Sequence, residues 1–201
     1  SHGSPQTRSM AFNPYNIYLM LTLAGIVVLF IALSASFIYS RVEGNIPVIK
    51  LPPIFLFNTL ILLGSSATLI WAKRCYLSDH TENYQKALIY TIVLTLIFMI
   101  AQFIGWQQLF ASNIFINTNN GAAYLYLISG LHFAHVIAGL PFLILFLWTA
   151  RKRMKEPVSV LVYFSDPEKK LKLRLLTIYW HFLDILWIYL VLFLWINSMI
   201  A

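Results

Sequence analysis

Two pairs of ionisable side chains lie deep inside apolar stretches of the sequence, where ionisable groups are rare. His132 and His135 are three residues apart, and so are His181 and Asp184. This spacing places both members of a pair on the same face of a helix. In a membrane such groups are costly, so by default they face the protein interior and have a partner. We therefore predict that these four residues form a buried polar cluster between two helices.

Three kinds of chemistry are open to such a cluster. It can lock helices together, because hydrogen bonds between membrane helices are worth ~0.6–2 kcal/mol each. The histidines can instead ligate a metal or a haem, although a di-metal carboxylate bundle uses several glutamates at Glu-x-x-His spacing, and no glutamate lies inside an apolar run. The third option is a proton or ion relay. A relay needs titratable groups leading to both faces of the membrane, and the first three apolar runs offer no such series.

The composition predicts the elements that must position this cluster. Of the 201 residues, 60% are hydrophobic and only 10% are charged, whereas soluble domains carry about 25% charged residues. Five apolar runs are long enough for the ~20 residues that cross a bilayer, at approximately 16–39, 54–76, 87–110, 122–150 and 175–197. We predict an all-α, polytopic membrane helix bundle of five transmembrane helices, forming a single membrane domain after an N-terminal tail of residues 1–15.

The basic residues predict the orientation of the bundle. Only Arg41 and Lys50 lie on one side of the predicted membrane. The other side holds the rest of the 14 Lys and Arg residues: Arg8, Lys73, Arg74, Lys86, Arg151, Lys152, Arg153, Lys155, Lys169, Lys170, Lys172 and Arg174. Because basic loops stay in the cytoplasm, we predict a cytoplasmic N-terminus and an outside C-terminus. The net charge of +7 sits in connecting loops rather than on a basic face or motif, so we predict no nucleic-acid partner.

A few other polar residues lie within or at the ends of the runs. Asn58 and Gln102 are lone polar side chains in the second and third runs, and we expect each to bond a neighbouring helix. Lys73 and Arg74 end the second run beside Trp71. They can contact an anionic lipid headgroup, or they can serve only to stop transfer of the chain through the membrane.

Four segments resemble subunit III of the haem-copper respiratory oxidases, the cytochrome c and quinol oxidases. Residues 51–66 are similar to the family's proline-rich entry and its Asn-Thr…Leu-Leu…Ser-Ser helix, and Gln102 with Trp106 is similar to its Gln-x-x-Glu-Tyr segment. Residues 130–139 resemble the motif Gly-x-His-x-x-His-Val-x-x-Gly, and residues 179–187 resemble Tyr-Trp-His-Phe-Val-Asp-x-x-Trp. The last two motifs are specific and contain all four residues of the predicted cluster. Five runs match the short form of the family, which lacks the first two of seven helices.

The resemblance implies an accessory, non-catalytic and cofactor-free subunit of an aerobic terminal oxidase in the bacterial inner membrane. In such oxidases the haems and copper lie in subunits I and II. Subunit III packs against subunit I, binds phospholipid, and supports oxygen reduction and proton pumping. A larger respiratory supercomplex is a further candidate partner. The alternatives are subunit III of a quinol oxidase and, in a different class, a stand-alone membrane haem or metal protein that uses the intramembrane histidines.

Two positions depart from the family pattern. The first shared helix of the family usually carries an intramembrane glutamate, and this sequence has Gly25 in that region. The glutamate position of the Gln-x-x-Glu-Tyr segment is Gly105. A proton-handling role that depends on those carboxylates therefore does not carry over, whereas the four clustered residues are all present. The sequence leaves open whether residues 1–9, before Met10, are native.

Overall fold

The computed structural model describes residues 14–44, 51–78, 80–153 and 167–199, and all regular structure in these residues is α-helical. The helices are α1 (Pro14–Gly44), α2 (Ile54–Leu77), α3 (Thr81–Ala111), α4 (Asn120–Arg153) and α5 (Pro167–Met199). All five are long and apolar enough to cross a membrane. The predicted all-α fold with five transmembrane helices is therefore confirmed. Most of the predicted N-terminal tail lies outside the described residues.

The helices are longer than the apolar runs from which they were predicted. The largest differences are at α3, which begins at Thr81 rather than at residue 87, and at α5, which begins at Pro167 rather than at residue 175. An apolar run marks only the part of a helix that suits hydrocarbon, whereas the backbone hydrogen bonds of the helix continue into the polar residues beside it. A proline suits the first helical position because the missing N–H has no partner there.

Helices α2, α3, α4 and α5 pack as a ring of four. Helix α2 contacts α3 and α5, and α4 contacts the same two helices from the other side. Helix α1 lies outside the ring, against α4 and α5. A hydrogen bond of 2.9 Å from Arg41 Nη1 to Asn197 Oδ1 joins α1 to the end of α5. The four-helix ring therefore contains most of the core, and α1 covers one side of it and adds Ile26 and Phe30.

Aromatic side chains fill the centre of the ring. Phe55 of α2, Phe98 of α3 and Trp187 of α5 are each at most 1% exposed. The Trp187 ring lies 5.4 Å from Phe98 and 6.0 Å from Phe55, measured between ring centroids. Trp187 therefore packs inside the ring rather than on its lipid-facing surface. This aromatic layer surrounds one of the two histidines of α4.

Candidate functional site

The pair His181 and Asp184 lies on the face of α5 that packs against α2. Ser66 of α2 lies beside both side chains, because its Oγ is 2.5 Å from His181 Nδ1 and its hydroxyl is an electrostatic neighbour of the Asp184 carboxyl. Asp184 is buried, and its Oδ2 has no partner among the described residues. Lys73, two helical turns beyond Ser66 on α2, is an electrostatic neighbour of His181. The serine hydroxyl therefore links a buried carboxyl to a half-buried imidazole.

His132 lies at the centre of the four-helix ring and is fully buried. Its Nε2 is 2.9 Å from the Leu183 carbonyl oxygen of α5. Because a carbonyl only accepts hydrogen bonds, Nε2 is the protonated nitrogen of the ring. The imidazole lies against Trp187, with 4.8 Å between ring centroids, and Phe98 meets it edge-on at 6.0 Å. His132 thus joins α4 to the backbone of α5.

His135 faces the side of the ring that α1 covers. Its Nδ1 donates to the Leu131 carbonyl oxygen of its own helix at 2.6 Å, and its ring lies 6.3 Å from that of Phe30 in α1. The Tyr179 hydroxyl of α5 donates to the His135 carbonyl oxygen at 2.7 Å. The contact between α4 and α5 at this level therefore uses the backbone of His135 rather than its imidazole.

The structure gives the four predicted residues three separate sets of partners instead of one shared network. None of the hydrogen bonds in residues 14–44, 51–78, 80–153 and 167–199 joins an imidazole to the Asp184 carboxyl. The electrostatic neighbour of the Asp184 carboxyl is Ser66 of α2, since α5 packs against α2 as well as against α4. In the same described ranges, no three His, Cys, Asp or Glu side chains form a group that could hold a metal ion.

Asn58 and Gln102 bond each other across the interface of α2 and α3. Asn58 Nδ2 donates to Gln102 Oε1 at 3.1 Å, and both residues are fully buried. This bond joins α2 to α3, and the sequence had led us to expect that each residue bonds a neighbouring helix. Gly105 lies three residues after Gln102, at the glutamate position of the Gln-x-x-Glu-Tyr segment, and is buried. A Cβ added there would lie 3.1 Å from Ile54 Cγ2 of α2.

The candidate lipid-contact residues lie at the end of α2. Trp71 is 37% exposed and stacks on Tyr90 of α3, with ring centroids 6.0 Å apart. Arg74 is exposed and Lys73 is half-buried. The arrangement leaves an aromatic surface and two cations side by side at one end of the helix pair.

Sequence reasoning missed a row of hydroxyl contacts that joins α2 to α3 and α5. Trp180 Nε1 of α5 donates to Ser65 Oγ at 3.0 Å, and Ser65 Oγ lies 3.5 Å from Thr95 Oγ1 of α3. One turn along α2, Thr68 Oγ1 lies 2.7 Å from Thr91 Oγ1. The sequence signal was serine and threonine recurring at three- and four-residue spacing within apolar runs, which is typical of hydrogen-bonded membrane helices.

Comparison with known proteins places the chain in a family. A family model described as cytochrome c oxidase subunit III matches residues 16–199. The cytochrome c oxidase subunit 3 of Artemia franciscana is 29% identical over 174 residues, which cover 83% of this chain and 62% of the relative. The protein of the same name from Papio hamadryas is 27% identical over 135 residues, covering 67% of this chain and 47% of the relative.

A bacterial relative gives the same result. The probable cytochrome c oxidase subunit 3 of Rickettsia felis is 30% identical over 142 residues, which cover 69% of this chain and 46% of the relative. The chain thus spans between about half and just under two thirds of the length of these relatives. Since the family model matches nearly all of the described helices, the chain belongs to the cytochrome c oxidase subunit III family.

Proposed function

We propose that this chain is the accessory, cofactor-free subunit III of an aerobic terminal oxidase of the cytochrome c oxidase type. The observation that carries the proposal is the family match over residues 16–199, which includes every motif quoted above. Subunit III of the oxidase is generally a non-catalytic subunit. The three histidines of the two specific motifs bond protein groups, and the bonds of His132 and His181 join neighbouring helices, as expected for residues with a structural role.

The helices and the loop charges support a proposal for the membrane in which the chain resides. Five helices of the described residues can cross a bilayer, and the asymmetry of Lys and Arg favours a cytoplasmic N-terminus and an outside C-terminus. The Rickettsia felis relative supports a bacterial inner membrane as the location. In that orientation Lys73, Arg74 and Trp71 lie at the cytoplasmic face, where anionic lipid headgroups attract basic side chains.

The partners are the catalytic subunits of the oxidase. We propose that the chain packs against subunit I, in a complex that also contains subunit II, and stabilises subunit I during turnover. We also propose that a phospholipid headgroup binds at Trp71, Lys73 and Arg74. The support for oxygen reduction and proton pumping is then indirect, because glycines stand at the two family carboxylate positions, Gly25 and Gly105.

Native purification tests this proposal. An affinity tag on this chain should bring down haem- and copper-containing subunits in fixed stoichiometry from mild-detergent extracts, and the complex should consume oxygen with reduced cytochrome c. The same tag on an unrelated five-helix membrane protein is the control. Consumption of oxygen with quinol alone would assign the chain to a quinol oxidase. Recovery of the chain without any haem- or copper-containing subunit would contradict the proposal.

A further inference from the structure

Four buried polar atoms around the centre of the ring have no hydrogen-bond partner among the described residues. They are Asn58 Oδ1, Gln102 Nε2, His132 Nδ1 and Trp187 Nε1. Each belongs to a side chain that is at most 1% exposed. Buried polar groups are normally hydrogen-bonded to protein or to ordered water, and in hydrocarbon no bulk water is available to satisfy them. Four such atoms in one region therefore indicate a ligand.

The packing places these residues in one layer of the bundle. Gln102 of α3 lies one helical turn from Phe98 and one turn from Trp106. Phe98 meets the His132 ring of α4, and Trp106 Nε1 donates to Ser129 Oγ of α4 at 3.1 Å. Gln102 is therefore level with the segment of α4 that contains His132, and its amide already contacts Asn58 of α2. The layer extends to α5 because the Trp187 ring lies 4.8 Å from the His132 ring.

The chemistry of the four atoms is complementary. His132 Nε2 holds its proton against the Leu183 carbonyl, and a charged imidazole in hydrocarbon would be costly. The ring is therefore neutral, and its Nδ1 is a hydrogen-bond acceptor. The Trp187 indole can only donate. The amide pair of Asn58 and Gln102 uses one N–H and one carbonyl in its mutual bond, so one carbonyl and one amino group remain whichever way the two amides are oriented.

We propose that this layer binds one or two ordered water molecules, which connect the amide pair of α2 and α3 to His132 of α4. A water molecule has two donors and two acceptors, and a buried water makes about three hydrogen bonds to groups that otherwise lack partners. In the proposed site the water donates to His132 Nδ1 and accepts from the remaining amide N–H. The Trp187 indole N–H is a further donor in the same layer. The proposed water joins α2 and α3 to α4 and α5. Among Asn58, Gln102, His132 and Trp187, no direct side-chain hydrogen bond makes that connection.

A high-resolution cryo-electron microscopy map of the full chain, in its complex or in a lipid nanodisc, tests the proposal. We expect a density peak about 2.7–3.2 Å from His132 Nδ1, close to the amide pair. In water-edited solid-state NMR of the same sample, polarisation from water should reach the His132 Nδ1 signal. A map in which His132 Nδ1 touches only carbon atoms or bonds directly to a protein donor would overturn the proposal.

Two variants make the test sharper. Gln102→Met keeps the length of the side chain but removes its hydrogen-bonding groups, so the density and the water signal at His132 should be lost. The matched control is Trp106→Phe, one turn away, which removes a direct protein hydrogen bond and should leave both signals in place. If the density peak and the water signal at His132 persist unchanged in Gln102→Met, the proposed site is contradicted. If that variant does not fold, the NMR signal of the wild-type chain decides the question alone.

Discussion

At the level of single residues, the ionisable groups inside this membrane protein are held by hydroxyls and backbone carbonyls. His132 bonds the Leu183 carbonyl, His135 bonds the Leu131 carbonyl, and Ser66 bridges His181 to Asp184. A serine is a suitable bridge because its hydroxyl can donate to a carboxylate and accept from an imidazole N–H at the same time. The residue types of the cluster were therefore predictable, but nothing in the sequence indicated that Ser66 would lie beside His181 and Asp184.

Ser66→Ala tests the bridge. The variant removes the one hydroxyl shared by His181 and Asp184, and leaves a buried carboxyl without its partner. We expect a loss of ~0.6–2 kcal/mol in the free energy of unfolding, measured by denaturant titration in mixed micelles. Ser36→Ala, at an exposed position of α1, is the matched control and should change stability little. Equal stability of the two variants would show that the bridge does not hold α2 to α5.

At the level of the helices, close approach depends on a few small residues. Gly139 of α4 is buried against α5, where an added Cβ would lie 2.9 Å from Trp180 Cζ3 and 3.0 Å from Tyr179 Cε1. Gly130 of the same helix has nothing within 4 Å of an added Cβ. Among the described residues, close packing against a neighbouring helix is therefore seen at Gly139 and not at Gly130. Single-sequence reasoning could not separate them, since the difference lies in which face of α4 meets α5.

The two glycines form a matched pair of variants. Gly139→Ala should force α4 and α5 apart, at a cost of about 1–3 kcal/mol for overpacking. This cost is partly offset by the higher helix propensity of alanine, which is worth about 1 kcal/mol. Gly130→Ala gains the propensity without the clash, so it should be neutral or stabilising. Unfolding midpoints in the same micelles should therefore move in opposite directions, and a larger loss for Gly130→Ala would contradict the packing described here.

At the level of the whole molecule, the number and type of the elements followed from hydropathy, and their arrangement did not. Five apolar runs predicted five helices, because each must satisfy its backbone hydrogen bonds within the membrane. The runs carry no information on which helices are neighbours. The contacts of α5 with both α2 and α4 are visible only in the structure, and the contact with α2 brings Asp184 beside Ser66. Buried Asn58 and Gln102 were predicted to bond neighbouring helices, but their pairing with each other became visible only once α2 and α3 were placed side by side.

The optical absorption spectrum of the purified chain, freed from other subunits, tests the proposed role most directly. Because the intramembrane histidines bond protein groups, we expect no haem absorption band from this chain, while the intact complex from which it was removed shows the bands of its haems. A haem band that stays with the isolated chain, and that disappears in His132→Ala or His135→Ala, would contradict the assignment of this chain as a cofactor-free subunit.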